Sequence, residues 1–252
     1  AIYIYHGEEG VKSVQRLWEL LQNQMLDAIT VPHHTKFIAG ISWNHYHPIF
    51  QRLAEVCSCW GNSEKNGYFS VQNGLFMGHR LGVVGGTDTH FSQPGRPCLG
   101  PFDLGGLTAV VCSRLERRSL WQALHSRNCY ATTGDRILLN FVINGFMMGT
   151  QIPLEENRVR KIEGRVIGTD EIDTLEIVRN NEVWKTIPCS GKSDIEFSFK
   201  DGQDFDEIAL EPQIPIGQRF VFYYVRTHQK NRHWAMSSPI WIEEKLESEE
   251  WQ

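Results

Sequence analysis

Long apolar runs are missing from this sequence. Nothing approaches the roughly 20 consecutive apolar residues of a membrane-spanning helix, so no membrane partner is expected. An excess of basic charge is missing too: 25 Lys and Arg face 30 Asp and Glu, for a net charge of −5. Nucleic-acid binding needs a basic face, and none is expected here. Paired C-x-x-C spacing is absent among Cys57, Cys59, Cys98, Cys112, Cys129 and Cys189. A Cys57/Cys59 metal site is disfavoured as well, since a C-x-C pair points its two sulfurs along one strand. Scattered thiols of this kind read as reduced and mostly buried, in a reducing compartment. No repeat, low-complexity segment or secretory signal is visible, and the cytoplasm is the expected location. The first residue is Ala, which leaves two readings open: a processed initiator Met, or a chain cut from something longer.

What is present reads as an ordinary globular chain, with 41% apolar and 22% charged residues. At 252 residues it buries one large core or two modest ones. Ala1–Tyr5 reads as a strand, and Val14, Leu17, Trp18 and Leu21 form a helical stripe that Ser13 caps. Ala28–Val31 reads as a short buried strand, Leu53–Cys57 as another, and residues 71–80 as a helix. Thr108–Val111 reads as a buried strand. Ser113 and Glu116 have the spacing of a capping box for a helix carrying Leu120, Trp121, Ala123 and Leu124 inward. Strand–helix–strand spacing of this kind predicts the βα units of a parallel sheet or barrel.

After about Ile143 the helical stripes vanish. Alternating runs follow at 159–167, 175–178, 195–199 and 220–226, with Asn180-Asn181 as a hairpin turn. These predict an antiparallel β-sandwich. The boundary falls between residues 140 and 158 and is drawn as 1–145 and 146–252. The acidic end, from Glu243, reads as a solvated tail.

The chemistry is concentrated in Val83-Val84-Gly85-Gly86-Thr87-Asp88-Thr89-His90. An apolar run breaks into glycines and presents an Asp and a His two residues apart. Residues i and i+2 share a strand face, so a carboxylate and an imidazole aim at one point. Divalent metals that activate water take that oxygen and nitrogen pair. A second cluster, His33-His34, also follows an apolar run. The bland alternative is a capping Asp and a hydrogen-bonded His in a glycine-rich turn. Glu55 and Glu64 bracket the loop after a strand and are candidates for a substrate pocket, or for ordinary salt bridges. His45, His47 and Trp60 are candidates for a cleft lining, and Arg96 for an anionic group. Arg136 is expected to tie its segment to the rest of the fold.

Three segments together resemble the PHP-type metallohydrolases, in the branch that includes carbaryl (carbamate) hydrolases. They are Val31-Pro32-His33-His34-Thr35, Gly82–His90 with Pro94-Gly95-Arg96-Pro97, and Tyr130-Ala131-Thr132-Thr133-Gly134-Asp135-Arg136-Ile137. Met148-Gly149 and Ala235–Trp241 fit the same branch, so the likeness runs over nearly the whole chain. It implies α/β plus all-β architecture: part of a (βα)7-type PHP barrel, its C-terminal half, followed by a β-sandwich.

The resemblance also implies a hydrolase in which metal-activated water attacks an ester, carbamate or phosphoester of a small-molecule substrate. Asp88 and His90 take the catalytic and metal roles; His33 or His34 supplies a further ligand. The cofactor is a divalent ion (Mn, Zn or Fe). The sequence departs from the family at its start: the opening H-x-H motif, a bridging Glu and a further His have no match. His45-Tyr46-His47 has the H-x-H spacing but lies downstream of His33. The expectation is therefore a chain that begins partway round the barrel and is completed by self-association or by a companion N-terminal segment. The alternative is a non-catalytic remnant or an assembly module.

Overall fold

The computed structural model describes residues 13–33, 35, 41–90, 93, 95–96, 105–155, 158–214 and 217–244. The expected strand at 1–5, the acidic tail beyond Glu244, and His34 and Cys98 lie outside the described residues. Within them the protein is mixed α/β, built mostly of sheet.

The first half is α1 (Val14–Asn23), β1 (Leu53–Ser58), β2 (Gly61–Asn62), α2 (Val71–Phe76), β3 (Gly82–Gly85), β4 (Leu107–Val110), α3 (Arg117–His125) and β5 (Cys129–Thr132). There follow β6 (Leu138–Ile143), β7 (Phe146–Met147), β8 (Gln151–Pro153), β9 (Arg160–Ile167), β10 (Ile172–Arg179), β11 (Glu182–Ile187) and β12 (Asp194–Asp201). A single turn, α4 (Phe205–Ile208), precedes β13 (Phe220–Gln229), β14 (Trp234–Ser237) and β15 (Ile240–Glu243).

These elements make three layers. A three-stranded sheet, β2-β1-β3, has β1 and β3 parallel with α2 in the connection. An eight-stranded sheet runs β11-β10-β13-β14-β5-β4, with β15 also on β13 and β8 on β15. A four-stranded sheet runs β12-β9-β6-β7. The strand β13 explains why the layers stack. Its run Phe220–Val225 is buried throughout, because alternate side chains point to opposite faces. Val221, Tyr223 and Val225 enter a core with Phe141, Ile162 and Phe197 of the four-stranded sheet. Phe220, Phe222 and Tyr224 enter another with Ala54, Val56 and Val83 of the small sheet. A strand packed on both faces reads as a continuous apolar run, and β13 does. Among the described residues no sheet closes into a barrel.

The small sheet meets the large one through side chains rather than ladder bonds. Thr108 Oγ1 accepts from Gly85 N at 3.1 Å and donates to Gly85 O at 2.8 Å. Ser238 Oγ accepts from Val83 N at 3.0 Å and donates to Cys129 O at 2.6 Å. The backbones come so close that a Cβ on Gly106 would stand 2.5 Å from Cys57 O and 2.8 Å from Gly86 N. Only glycine fits that position.

Several sequence expectations hold. Helix α1 is capped by Ser13, whose hydroxyl accepts from Arg16 N, and it buries Leu17, Trp18 and Leu21. Asn180 and Asn181 both take positive φ, 51° and 71°, at the tip of the β10–β11 hairpin. Others are corrected. Residues 28–31 are not a strand; single hydrogen bonds, Thr30 N to Phe50 O and Glu55 N to Pro32 O, fasten that segment. The helix expected at 71–80 stops at Phe76, and Gly78 follows with φ 102°. Ser113 caps nothing: α3 starts at Arg117 with Glu116 as its N-cap, and that side chain makes no capping bond. The Thr108 strand is half-buried and antiparallel to β5, so it is not part of a parallel sheet. Around residue 145, β6 and β7 pair with each other across it, and β4 and β5 join the same sheet as β13 and β14.

Candidate metal-binding cluster

The parallel pair β1 and β3 ends on one side of the molecule, and the candidate residues collect there. Past β1 the chain turns sharply through Cys59 and Trp60 into β2, with Ser58 paired to Gly61. Past β3 come Gly86, Thr87 and Asp88. Asp88 has φ 50°, a left-handed conformation that Asp tolerates better than most residues. β3 stops at Gly85, so Asp88 and His90 stand in the loop beyond the strand rather than together on one of its faces.

The loop is nonetheless ordered around Asp88. The indole N–H of Trp60 donates to Asp88 Oδ2. The Cys59 thiol lies 3.8 Å from the same oxygen and is fully buried. His90 Nδ1 lies 2.9 Å from the Asp88 carbonyl oxygen. A carbonyl only accepts, so the Nδ1 proton is fixed there and a neutral ring keeps the Nε2 lone pair for another partner. His90 itself is exposed. Glu55, half-buried on β1, places Oε2 2.7 Å from where a Gly86 Cβ would stand, so its carboxylate faces the backbone leading into Asp88. His33 is exposed and follows Pro32, whose carbonyl accepts from Glu55 N at 3.0 Å.

The remaining candidates fall elsewhere. Glu64 is 2% exposed and closes an internal network: Arg226 Nη1 at 2.5 Å and the Tyr224 hydroxyl at 2.9 Å both donate to its Oε1. Arg226 Nε donates to Glu176 at 2.6 Å. His45 accepts from Gln15 Nε2 at 2.8 Å and, with His47, lines a cavity of about 420 Å³ beside α1. Burial lowers the His47 pKa. Arg96 is exposed, and its Nη1 donates to Gln93 at 2.8 Å. Arg136 is exposed and ties down nothing among the described residues; its neighbour Asp135 does so, accepting from Thr169, Gln229 and Asn231. Asp135 carried no spacing signal beyond its place in the third motif.

Carboxylate oxygen and imidazole nitrogen are donors that Mn, Fe and Zn accept, so the residues at the ends of β1 and β3 suit a divalent ion in kind. Among the described residues no group of three His, Cys, Asp or Glu side chains stands close enough to hold one. No helix among them is long and apolar enough to cross a membrane.

The fold and this cluster define a three-layer, sheet-rich α/β protein with an ordered Asp–His loop at the carboxyl ends of two parallel strands. A family model described as a protein of unknown function (DUF3604) matches residues 101–163. An uncharacterized protein of Chlamydia trachomatis serovar D is 35% identical over 269 aligned residues, covering 94% of this chain and 42% of that protein. Uncharacterized proteins of Chlamydia pneumoniae (34% identical, 86% of this chain and 38% of that protein) and Chlamydia muridarum (33%, 94% and 42%) are similar along it too. The chain thus spans less than half the length of these curated relatives. No solved structure matches it.

Proposed function

We propose that this chain carries part of the metal site of a PHP-type metallohydrolase acting on an ester, carbamate or phosphoester of a small molecule. The observation that carries the reading is the seating of Asp88 and His90. Trp60 and Cys59 hold the Asp88 carboxylate, and the Asp88 carbonyl holds His90 with Nε2 free. A ligating imidazole needs that kind of partner on its other nitrogen. The parallel β1–α2–β3 unit supports the barrel half of the resemblance, and the packed larger sheets support the sandwich half.

Asp88 and His90 would hold a divalent ion, with His33 or His34 as a further ligand. When bound, such an ion lowers the pKa of water and polarises the substrate oxygen. Glu55 would meet substrate from the β1 side, and the Trp60 indole keeps the Asp88 carboxylate in place. The family's H-x-H and bridging Glu would come from a companion segment.

The test is turnover of p-nitrophenyl acetate, a naphthyl methylcarbamate and bis(p-nitrophenyl) phosphate with added Mn²⁺ or Zn²⁺, on the wild type and Asp88→Ala. Metal-dependent turnover that disappears in Asp88→Ala supports the reading. Turnover indifferent to metal, or equal in the variant, overturns it.

A further inference from the structure

We infer that the cleft at the amino ends of β1 and β3 binds a small phosphate monoester, at a site separate from the Asp88 cluster. The cleft encloses about 410 Å³ and is lined by Arg52, Arg80, Gln151 and Glu243, with Ile49 and Ile214 on its apolar side. Arg52 immediately precedes β1, and its carbonyl accepts from Gly82 N, which opens β3, at 2.9 Å. Asp88 lies beyond the other end of these strands. A strand rises about 3.3 Å per residue, so the length of β1 keeps the two places roughly 20 Å apart.

The cleft carries more positive charge than the protein neutralises. Arg80 pairs through Nε with Glu243 and donates from Nη1 to Gly78 O at 2.6 Å. Arg52 makes no ion pair among the described residues, and its Nε is buried without a hydrogen-bond partner. Arg127 stands behind Gln151, 5% exposed. It donates from Nε to Gly149 O and from Nη2 to Gln151 Oε1, both at 2.9 Å, while Nη1 is buried with no partner. Burial, then the neighbouring Arg52 charge, hold the Arg127 pKa down to about 10.

Among the described residues these three guanidinium groups share one carboxylate, Glu243, leaving a local charge of +2. Buried donors without acceptors are costly, and these two sit on separate guanidinium groups. A dianion with several oxygens in the cleft meets the Arg52 guanidinium and offsets the charge of Arg127 behind Gln151, as Arg clusters do for phosphoryl groups. A monocarboxylate would leave half the charge in place. Ile49 and Ile214 give the organic part of an ester an apolar wall.

Thermal unfolding at constant ionic strength, with inorganic phosphate, glycerol 3-phosphate or succinate as probe, tests this. Both phosphates should raise Tm, the ester further, by about 5–10 °C at a hundredfold excess over Kd. Arg52 is half-buried at the cleft wall, so Arg52→Gln should fold normally and lose nearly all of the shift. Asp88→Ala should keep it, which separates this site from the metal site. No shift, an equal shift in Arg52→Gln, or a shift from succinate as large as from the phosphates would overturn the inference. A shift from inorganic phosphate alone would overturn the ester.

Discussion

Lowering the pH from 7.5 to 5.0 should destabilise this protein through His79. That ring is fully buried, stacked 4.4 Å from the Tyr46 ring and edge-on to Trp43 at 5.5 Å. Neither ring nitrogen makes a hydrogen bond of normal geometry. Burial depresses its pKa from 6.5 to about 4; the Trp43 backbone opposes this only in part, and the charge of Arg80 adds to it. An unfolded His takes up its proton near pH 6.5, whereas the folded one resists until about 4. Between those values the unfolded chain binds more protons, so stability falls as pH falls. It is full above pH 6.5, and no further loss from this group follows below about 4.

The full shift corresponds to about 3 kcal/mol, of which about 2 kcal/mol is lost by pH 5. For a chain of this size 2 kcal/mol lowers Tm by roughly 4–8 °C. His47, His125 and His228 are shifted in the same direction by burial and add to the wild-type loss. The informative quantity is therefore the difference between wild type and His79→Phe, which keeps an aromatic ring and removes the titration. Urea unfolding followed by tryptophan fluorescence at both pH values measures it. If His79→Phe loses as much stability as the wild type between pH 7.5 and 5.0, the reasoning about this ring is wrong.

Three further outcomes follow from the packing and the loop. Glu64→Ala strands Arg226 Nη1 and the Tyr224 hydroxyl in the interior and should cost about 3 kcal/mol in urea unfolding; a loss under about 1 kcal/mol would contradict a buried network. Gly106→Ala drives a methyl against two backbone atoms of other segments and should destabilise by about 3 kcal/mol, at the upper end for overpacking; an unchanged unfolding midpoint would show that the sheets are not so close. Trp60→Phe removes the indole donor to Asp88 and should weaken divalent-ion affinity about tenfold while leaving Tm nearly unchanged; equal affinity by calorimetry would remove Trp60 from the site.

The sequence was readable where local physics decides. The 3.6-residue stripe of α1, the paired asparagines of the β10–β11 turn and the alternation of β9 and β12 each carry their own signal. It was unreadable where distant residues decide. Val31 ends an apolar stretch, yet its segment makes isolated bonds to β1 and its neighbourhood rather than a ladder. Thr108–Val111 has the composition of a buried parallel strand, but β5 pairs with it antiparallel. The spacing of Asp88 and His90 suits a shared strand face, while the structure holds them by a loop, a tryptophan and a backbone carbonyl. Glu64 is fixed by residues some 160 positions away. Arg52, Arg80 and Arg127 show no motif at all, because the start of two strands and the end of a helix bring them together only in the fold.

Calorimetric titration of the chelator-treated protein with Zn²⁺ decides whether Asp88 and His90 are metal ligands. One ion per chain is expected, bound about a hundredfold more weakly by Asp88→Ala and His90→Ala, with both variants folded. No binding by the wild type, or affinity unchanged in both variants, would contradict it.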